Sequence, residues 1–465
     1  MPDGDRRAAG RYAIRLAVAL TVAVLVAEPV LAHSGSLGGS LTSVPIPFWL
    51  IVLSGGGIIG ASFLFTSFAT DHEFIRWINR LGVVAPTPAA VWRFVATVAR
   101  VGSVAVLGLF VAVGLVGPTN PTNNLAVLGI WAGWWAGYTA SVYLVGDTWP
   151  AVNPWRTLSR YVPRFGEREW PGHLGGWPAT VGLLALVWVE VVSPLASVPQ
   201  LLAGVVLAYT VATLVGASVY GDDWFHHADP VSRVFRTYGR VAPFRRTANG
   251  LSLDLPASAL TRTFDDGTDG DVVFVVALLW VTTYDGLVST PTFAGVVRAI
   301  VGVGVPPLLV YLVTALAGFG LFLAVYRFSA RSARKTAGSY VSVEAIERRF
   351  VWSLVPIAAG YHLAHFLGYF LTFLPTLAAV AVDPMSPPPS PQVAVLPAWW
   401  GGLQLAFVVL GHLVAIWVAH AIAFETFTGR IQPIRSQYAL AAVMIFYTMT
   451  SMWIIAQPYS PPPFL

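Results

Sequence analysis

Ten stretches of some twenty mostly apolar residues recur along this chain of 465 residues, and nothing else in it limits the fold as much. A helix needs about 20 apolar residues to cross the hydrocarbon core of a bilayer. Inside that core the backbone polar groups must be satisfied by the segment itself or by a closed barrel, and runs of this length select the helix. Candidate spans lie at 47–70, 92–117, 125–145, 177–196, 200–220, 272–290, 304–326, 351–378, 399–424 and 438–457. Composition agrees: 11% of residues are charged, where a soluble domain carries roughly 25%. The expected fold class is therefore all-α, a polytopic transmembrane helix bundle with a single membrane domain over 33–465.

Residues 1–32 read as a cleavable signal peptide. A basic start (Arg6, Arg7, Arg11, Arg15) precedes an apolar stretch from Leu16 to Val26, and Val30-Leu31-Ala32 closes it. Cleavage after Ala32 makes His33 the first mature residue, outside the cytoplasm. The competing reading is an uncleaved anchor helix. With the mature end outside, the cytoplasmic loops are 71–91, 146–176, 221–271, 327–350 and 425–437. They hold 20 of the 23 basic residues after Ala32, as the positive-inside rule requires. The expected localisation is the cell membrane, multi-pass, with both mature termini extracytoplasmic. The arginines lie in short loops, so the basic balance is no sign of nucleic acid.

The outer loops differ in kind. Asp383–Pro397 and the tail Pro458–Leu465 are rich in proline and read as connectors or docking surfaces. Trp134, Trp135, Trp399 and Trp400, near span ends, suit an aromatic belt. On the cytoplasmic side a weak repeat appears. Ala140–Tyr143, Gly146-Asp147, Trp149 and Asn153-Pro154 correspond to Ala217–Tyr220, Gly221-Asp222, Trp224 and Asp229-Pro230. Each copy leads from a span into an Asx-Pro turn and a basic, aromatic-rich segment expected to lie in the membrane interface. His226 and His227 fall in the second copy. His72 and His173 fall in loops and are expected to be surface residues.

Four of the nine histidines lie inside spans: His362 and His365 in the eighth, His412 and His420 in the ninth. Ionisable groups in hydrocarbon are costly and are functional candidates by default. His362, His365 and His412 sit at similar depth on consecutive, antiparallel helices, and imidazole suits copper, zinc, iron and nickel. A metal or haem site, a proton relay and plain interhelical hydrogen bonding are the competing uses. Glu190 and Asp285 occupy the outer parts of the fourth and sixth spans. They could feed cations or protons inward, or Asp285 could cap a helix broken at Gly286. A free amino-terminal His33 would offer amine and imidazole to copper. The chain has no cysteine, which excludes disulfides, thiolate metal sites and cysteine nucleophiles. Walker A, HExxH, nucleophile-elbow and dinucleotide-binding patterns are missing as well. Gly55-Gly56-Gly57 and Gly60 in the first span suit close helix packing.

Several short stretches resemble a family of polytopic membrane proteins from actinobacteria and haloarchaea that often carries the label "fenitrothion hydrolase". They are Ala32-His33 with Pro45–Leu50, Asn153–Arg156, Thr283–Gly286, Pro356–Tyr361 with Ala364-His365, Gly411-His412, Ala419-His420 and Ser436–Tyr438. In that family's pattern His365, His412 and His420 match best and His362 varies. An acid follows the last histidine there, where this chain has Ala421, and Glu425 is the nearest acid. The resemblance implies a membrane-bound organophosphate hydrolase. The exported histidine and the histidine-bearing spans also look like copper-resistance membrane proteins of the D type. Three functions follow as expectations. The first is transition-metal handling, copper above all, through His365, His412 and His420, with an extracytoplasmic metal or redox protein as partner. The second is a redox protein holding haem b between an eighth-span histidine and His412. The third is the hydrolase of the family label.

Overall fold

The computed structural model describes residues 47–165, 168–262, 269–390 and 392–465. The signal-peptide segment and His33 lie outside the described residues. In chain order the principal helices are α1 (Phe48–Thr66), α2 (Ala89–Val116), α3 (Trp177–Val192), α4 (Pro199–Tyr220), α5 (Pro230–Gly239) and α6 (Asp269–Val288). They continue with α7 (Pro307–Ala337), α8 (Val355–Val382), α9 (Trp400–Thr426) and α10 (Tyr438–Ile455). All but α3 and α5 are long and apolar enough to cross a membrane, so eight such helices stand among the described residues.

A helix that is apolar all round belongs inside a bundle. α6 is such a helix: 89% of its apolar window is buried, against 11% for α2, which leaves its apolar side chains at the periphery. Around α6 pack α3, α7 and α8, while α8 and α9 form the closest helix pair. Their backbones meet at Gly360 and Gly411, where a Cβ on Gly360 would lie 2.7 Å from Phe407 O and 2.9 Å from Gly411 Cα. In α1, Gly55 and Gly56 receive the side chains of Met452 and Met449 from α10, as small residues at a membrane-helix contact should.

The described residues are mostly helical, as expected, with one small sheet beside the bundle, and several finer expectations are corrected. β1 (Gly82–Ala85), β2 (Phe244–Thr247) and β3 (Gly250–Asp254) form an antiparallel sheet in the order β1-β3-β2. The helix that carries the seventh span runs on past 326. Good helix formers carry α7 on to Ala337, where Gly338 caps it at φ 58°. The stretch 125–144 is helical throughout but widens into a π-helix at Gly129–Tyr138. Asn124 starts it, accepting from Ala126 N–H and Val127 N–H and donating to the Val113 and Pro118 carbonyls. α6 runs unbroken through Gly286 to Val288, and Thr290 caps the next helix, so Asp285 is no helix cap.

The second repeat copy does not lie flat at an interface. Eight of the ten residues of α5 are buried, because its aromatic and aliphatic face packs against α3 and α8. Within it Arg233, 3% exposed, pairs with Asp271 of α6 at 2.6 Å. His226 meets Arg236, and His227 stacks on Trp170. His72 is also less free than expected, with Nε2 3.2 Å from Phe427 O and its ring against Phe424; His173 is exposed.

The loops sort into two groups by contact. β1 of loop 71–91 pairs with β3 of loop 221–271. Arg76 pairs with Glu425, Arg156 with Asp222, and Thr336 donates to Arg435 O. In the other group Asn123 donates to Pro388 O and Pro389 O, Ser460 N–H to Ser289 O, and Tyr311 Oη to Pro463 O. The proline-rich segments are therefore tied to the bundle.

Candidate functional site

α3 and α4 follow one another in the chain but lean on different partners, α3 on α6 and α5, α4 on α2. The space between them is a cavity of about 180 Å³. The π-helix supplies one wall. Ile130, Trp131, Trp134 and Trp135 from its widened turns all reach the cavity, in keeping with the use of π-helical turns at functional sites. Trp134 and Trp135 were expected in an aromatic belt and instead line this interior. At one end stand Glu190 of α3 with Thr282 and Asp285 of α6; at the other stand Trp155, Tyr209 and Pro230.

Asp285 is the site's central polar group. Its Oδ2 lies 3.3 Å from His365 Nε2 of α8, with the two side chains 10% and 22% exposed. Tyr361, one turn earlier on α8, stacks over the His365 ring at 6.2 Å. The phenol of Tyr361 comes close to Gly286, where any Cβ would collide with it. That glycine lets α6 and α8 approach and brings the carboxylate within reach of the imidazole. One residue before His365, Gln404 Nε2 donates to Ala364 O and ties α9 to the same turn. The pair thus joins a chargeable base to an acid on the cavity wall.

The other membrane histidines go elsewhere. His362 Nδ1 lies 3.1 Å from Tyr143 Oη, and its ring meets Trp135 edge to face. His412 Nδ1 lies 2.9 Å from Val408 O of its own helix. His420 Nε2 lies 2.8 Å from Ala69 O, and its Nδ1 faces Gln437. Glu425 is engaged with Arg76 rather than with His420. His362 and His365 lie on one helix but differ by about 60° around it, which sends one ring toward Tyr143 and the other toward Asp285. Among the described residues no three His, Asp or Glu side chains form a group able to hold a metal ion. Next to His412 the contact between Gly360 and Gly411 leaves α8 and α9 backbone against backbone.

The cavity floor joins the two repeat copies. Ser232 Oγ accepts from Trp149 Nε1 at 3.1 Å and from Asn153 Nδ2 at 3.0 Å, and donates to Asp229 Oδ2 at 2.5 Å. Asp229 also accepts from the Tyr209 hydroxyl, which lines the cavity. Asn153 and Asp229 each cap the Pro-led helix that follows, so the Asx-Pro turns of the repeat form as expected. Burial raises the carboxyl of Asp229, while hydrogen bonds from Ser232, Tyr209 and two backbone N–H groups oppose that rise.

The aromatic wall and Tyr209 escaped the sequence reading; Trp131-Ala132-Gly133-Trp134-Trp135, with Trp residues three and four apart, was the available signal. Comparison with protein-family models, with curated proteins and with solved structures finds no match to this chain.

Proposed function

We propose that this chain is a multi-pass membrane transporter that exchanges protons and cations at the Asp285–His365 pair. The observation that supports this reading is the 3.3 Å contact between an imidazole and a carboxylate that also lines an intramembrane cavity. An imidazole and a carboxylate in contact can pass one proton between them, and embedded ionisable pairs are the usual parts of proton relays. His365 is the one described membrane histidine paired with a carboxylate, which favours proton and cation exchange over a histidine-only metal site.

The test is carbodiimide labelling, which requires a protonated carboxyl in apolar surroundings. Labelling of Asp285, read by peptide mass, is expected to fall as pH rises. In His365→Ala it is expected to persist to higher pH, since the carboxylate has lost a neighbour able to carry positive charge. Labelling of Asp285 that ignores both pH and His365 would sink the proposal.

The proposed topology has ten crossings with both mature termini outside. Its support is that 125–144 and α3 also run between the two loop groups. Asn123 meets the Pro388 loop before the first of these, and Phe244 N–H donates to Val145 O at its end. Ser390 and Tyr340 are both exposed and belong to opposite groups. A cysteine at Ser390 should react with an impermeant thiol reagent in intact cells and one at Tyr340 should not; the reverse pattern inverts the assignment.

A further inference from the structure

We infer that the far end of α7 holds an anionic phospholipid, with its phosphate between Arg331 and Lys335 and an acyl chain along the face that ends in Phe328. This is independent of proton exchange at Asp285 and gives the bundle a specific lipid partner. Three observations carry it.

The first is a continuous helix face. α7 stands at the edge of the bundle, with only 22% of its apolar window buried. Phe319, Tyr326, Ala330 and Ala333 turn inward. Val313, Leu316, Ala324 and Phe328 are exposed on the opposite side, and Arg331 and Lys335 are the next exposed positions of that side. Residues three and four apart stack along one face of a helix. The surface that meets acyl chains therefore runs without a break into two cations.

The second is depth. A hydrocarbon core of about 30 Å takes about 20 residues of helix, which from Pro307 ends near Arg327. At a rise of 1.5 Å per residue, Arg331 and Lys335 stand about 4.5 and 10.5 Å farther along the axis than Phe328. That is the headgroup layer, where Arg and Lys attract anionic lipids.

The third is charge. Nearby, Arg327 pairs with Glu347 at 3.8 Å, and Glu344 lies within electrostatic reach of Arg334 and Arg348. Arg331 and Lys335 pair with no acid among the described residues. Side chains four apart on a helix start about 5–6 Å from each other, so one phosphate can accept charge-assisted hydrogen bonds from both. The bond from Thr336 to Arg435 O sets the helix Gln432–Ser436, with the exposed Arg435, alongside. A zwitterionic headgroup would bring its own ammonium into this cluster of cations; an anionic headgroup brings none.

The experiment titrates the full chain, delipidated in detergent, with phosphatidylglycerol, phosphatidylcholine or inorganic phosphate. Native mass spectrometry reads bound lipid. Acetylation of Lys335, the chain's only lysine, reads the site directly by peptide mass. Phosphatidylglycerol is expected to bind saturably and to slow acetylation tenfold or more, with phosphatidylcholine at least tenfold weaker. Arg331→Gln should lose that preference, while unchanged binding of phosphatidylcholine shows that the variant is folded; Arg331→Lys should keep most of it. Arg160→Gln with Arg168→Gln, which removes two exposed cations from loop 146–176, should leave it intact. Equal binding of the two lipids, or a native preference in Arg331→Gln, would overturn the inference. An equal loss in the Arg160 and Arg168 double variant overturns the site in favour of diffuse attraction to the whole basic face. Protection of Lys335 by inorganic phosphate at the same concentration overturns the lipid as its source.

Discussion

Asp285→Asn is expected to abolish both proton exchange and cation binding while leaving the bundle folded. The change keeps size and shape, so α6 still packs beside Tyr361 and the Gly286 contact is undisturbed. What it removes is the negative charge 3.3 Å from His365 and on the cavity wall. Losing one member of a buried charge pair costs on the order of 2–5 kcal/mol, and each 1.4 kcal/mol is about tenfold in affinity. Binding should therefore fall by some 30-fold to several thousand-fold. Asp285→Glu retains the charge but lengthens the side chain beside Tyr361, so partial function is expected from it. A native titration curve in Asp285→Asn would show that the carboxylate is structural only.

The largest loss of stability is expected from Arg233→Ala. The guanidinium is nearly fully buried, 2.6 Å from Asp271 and 4.9 Å above the Phe274 ring. Burial pushes it down to about 10, so it remains charged at neutral pH and the ion pair persists. Gly176 supplies the room, since a Cβ there would run into the guanidinium. Breaking a buried pair from one side costs roughly 3–5 kcal/mol, because a charge remains in a poorly solvated site. Arg233→Met with Asp271→Leu should recover much of that loss, as apolar replacement of both partners often does. Thermal unfolding in detergent checks both variants. If Arg233→Ala melts with the native protein, the contact carries no stability.

Hydropathy made the long spans legible because a bilayer demands length and apolarity from every crossing. α6 could be read as a span, but not as the central helix, since burial depends on neighbours that a single window does not see. The sheet was missed because its strands have only four or five residues. Asn249-Gly250 is a hairpin signal that the flanking arginines obscured. The repeat correctly gave the capped Asx-Pro turns, yet basic residues in α5 suggested an interface where Arg233 is in fact buried with its own counter-ion. The number of membrane histidines was readable and their partners were not. Three residues of offset on α8 separate a ring facing Tyr143 from one facing Asp285. The cavity was invisible for a similar reason, since its walls come from segments far apart in the chain.

Proton release from the pair is the most direct measurement. Titrated upward through the pH range in which carbodiimide labelling of Asp285 falls, weakly buffered native protein should release about one proton more than Asp285→Asn, which has lost the titrating carboxyl. An equal proton count in the two proteins over that range would contradict exchange at the Asp285–His365 pair.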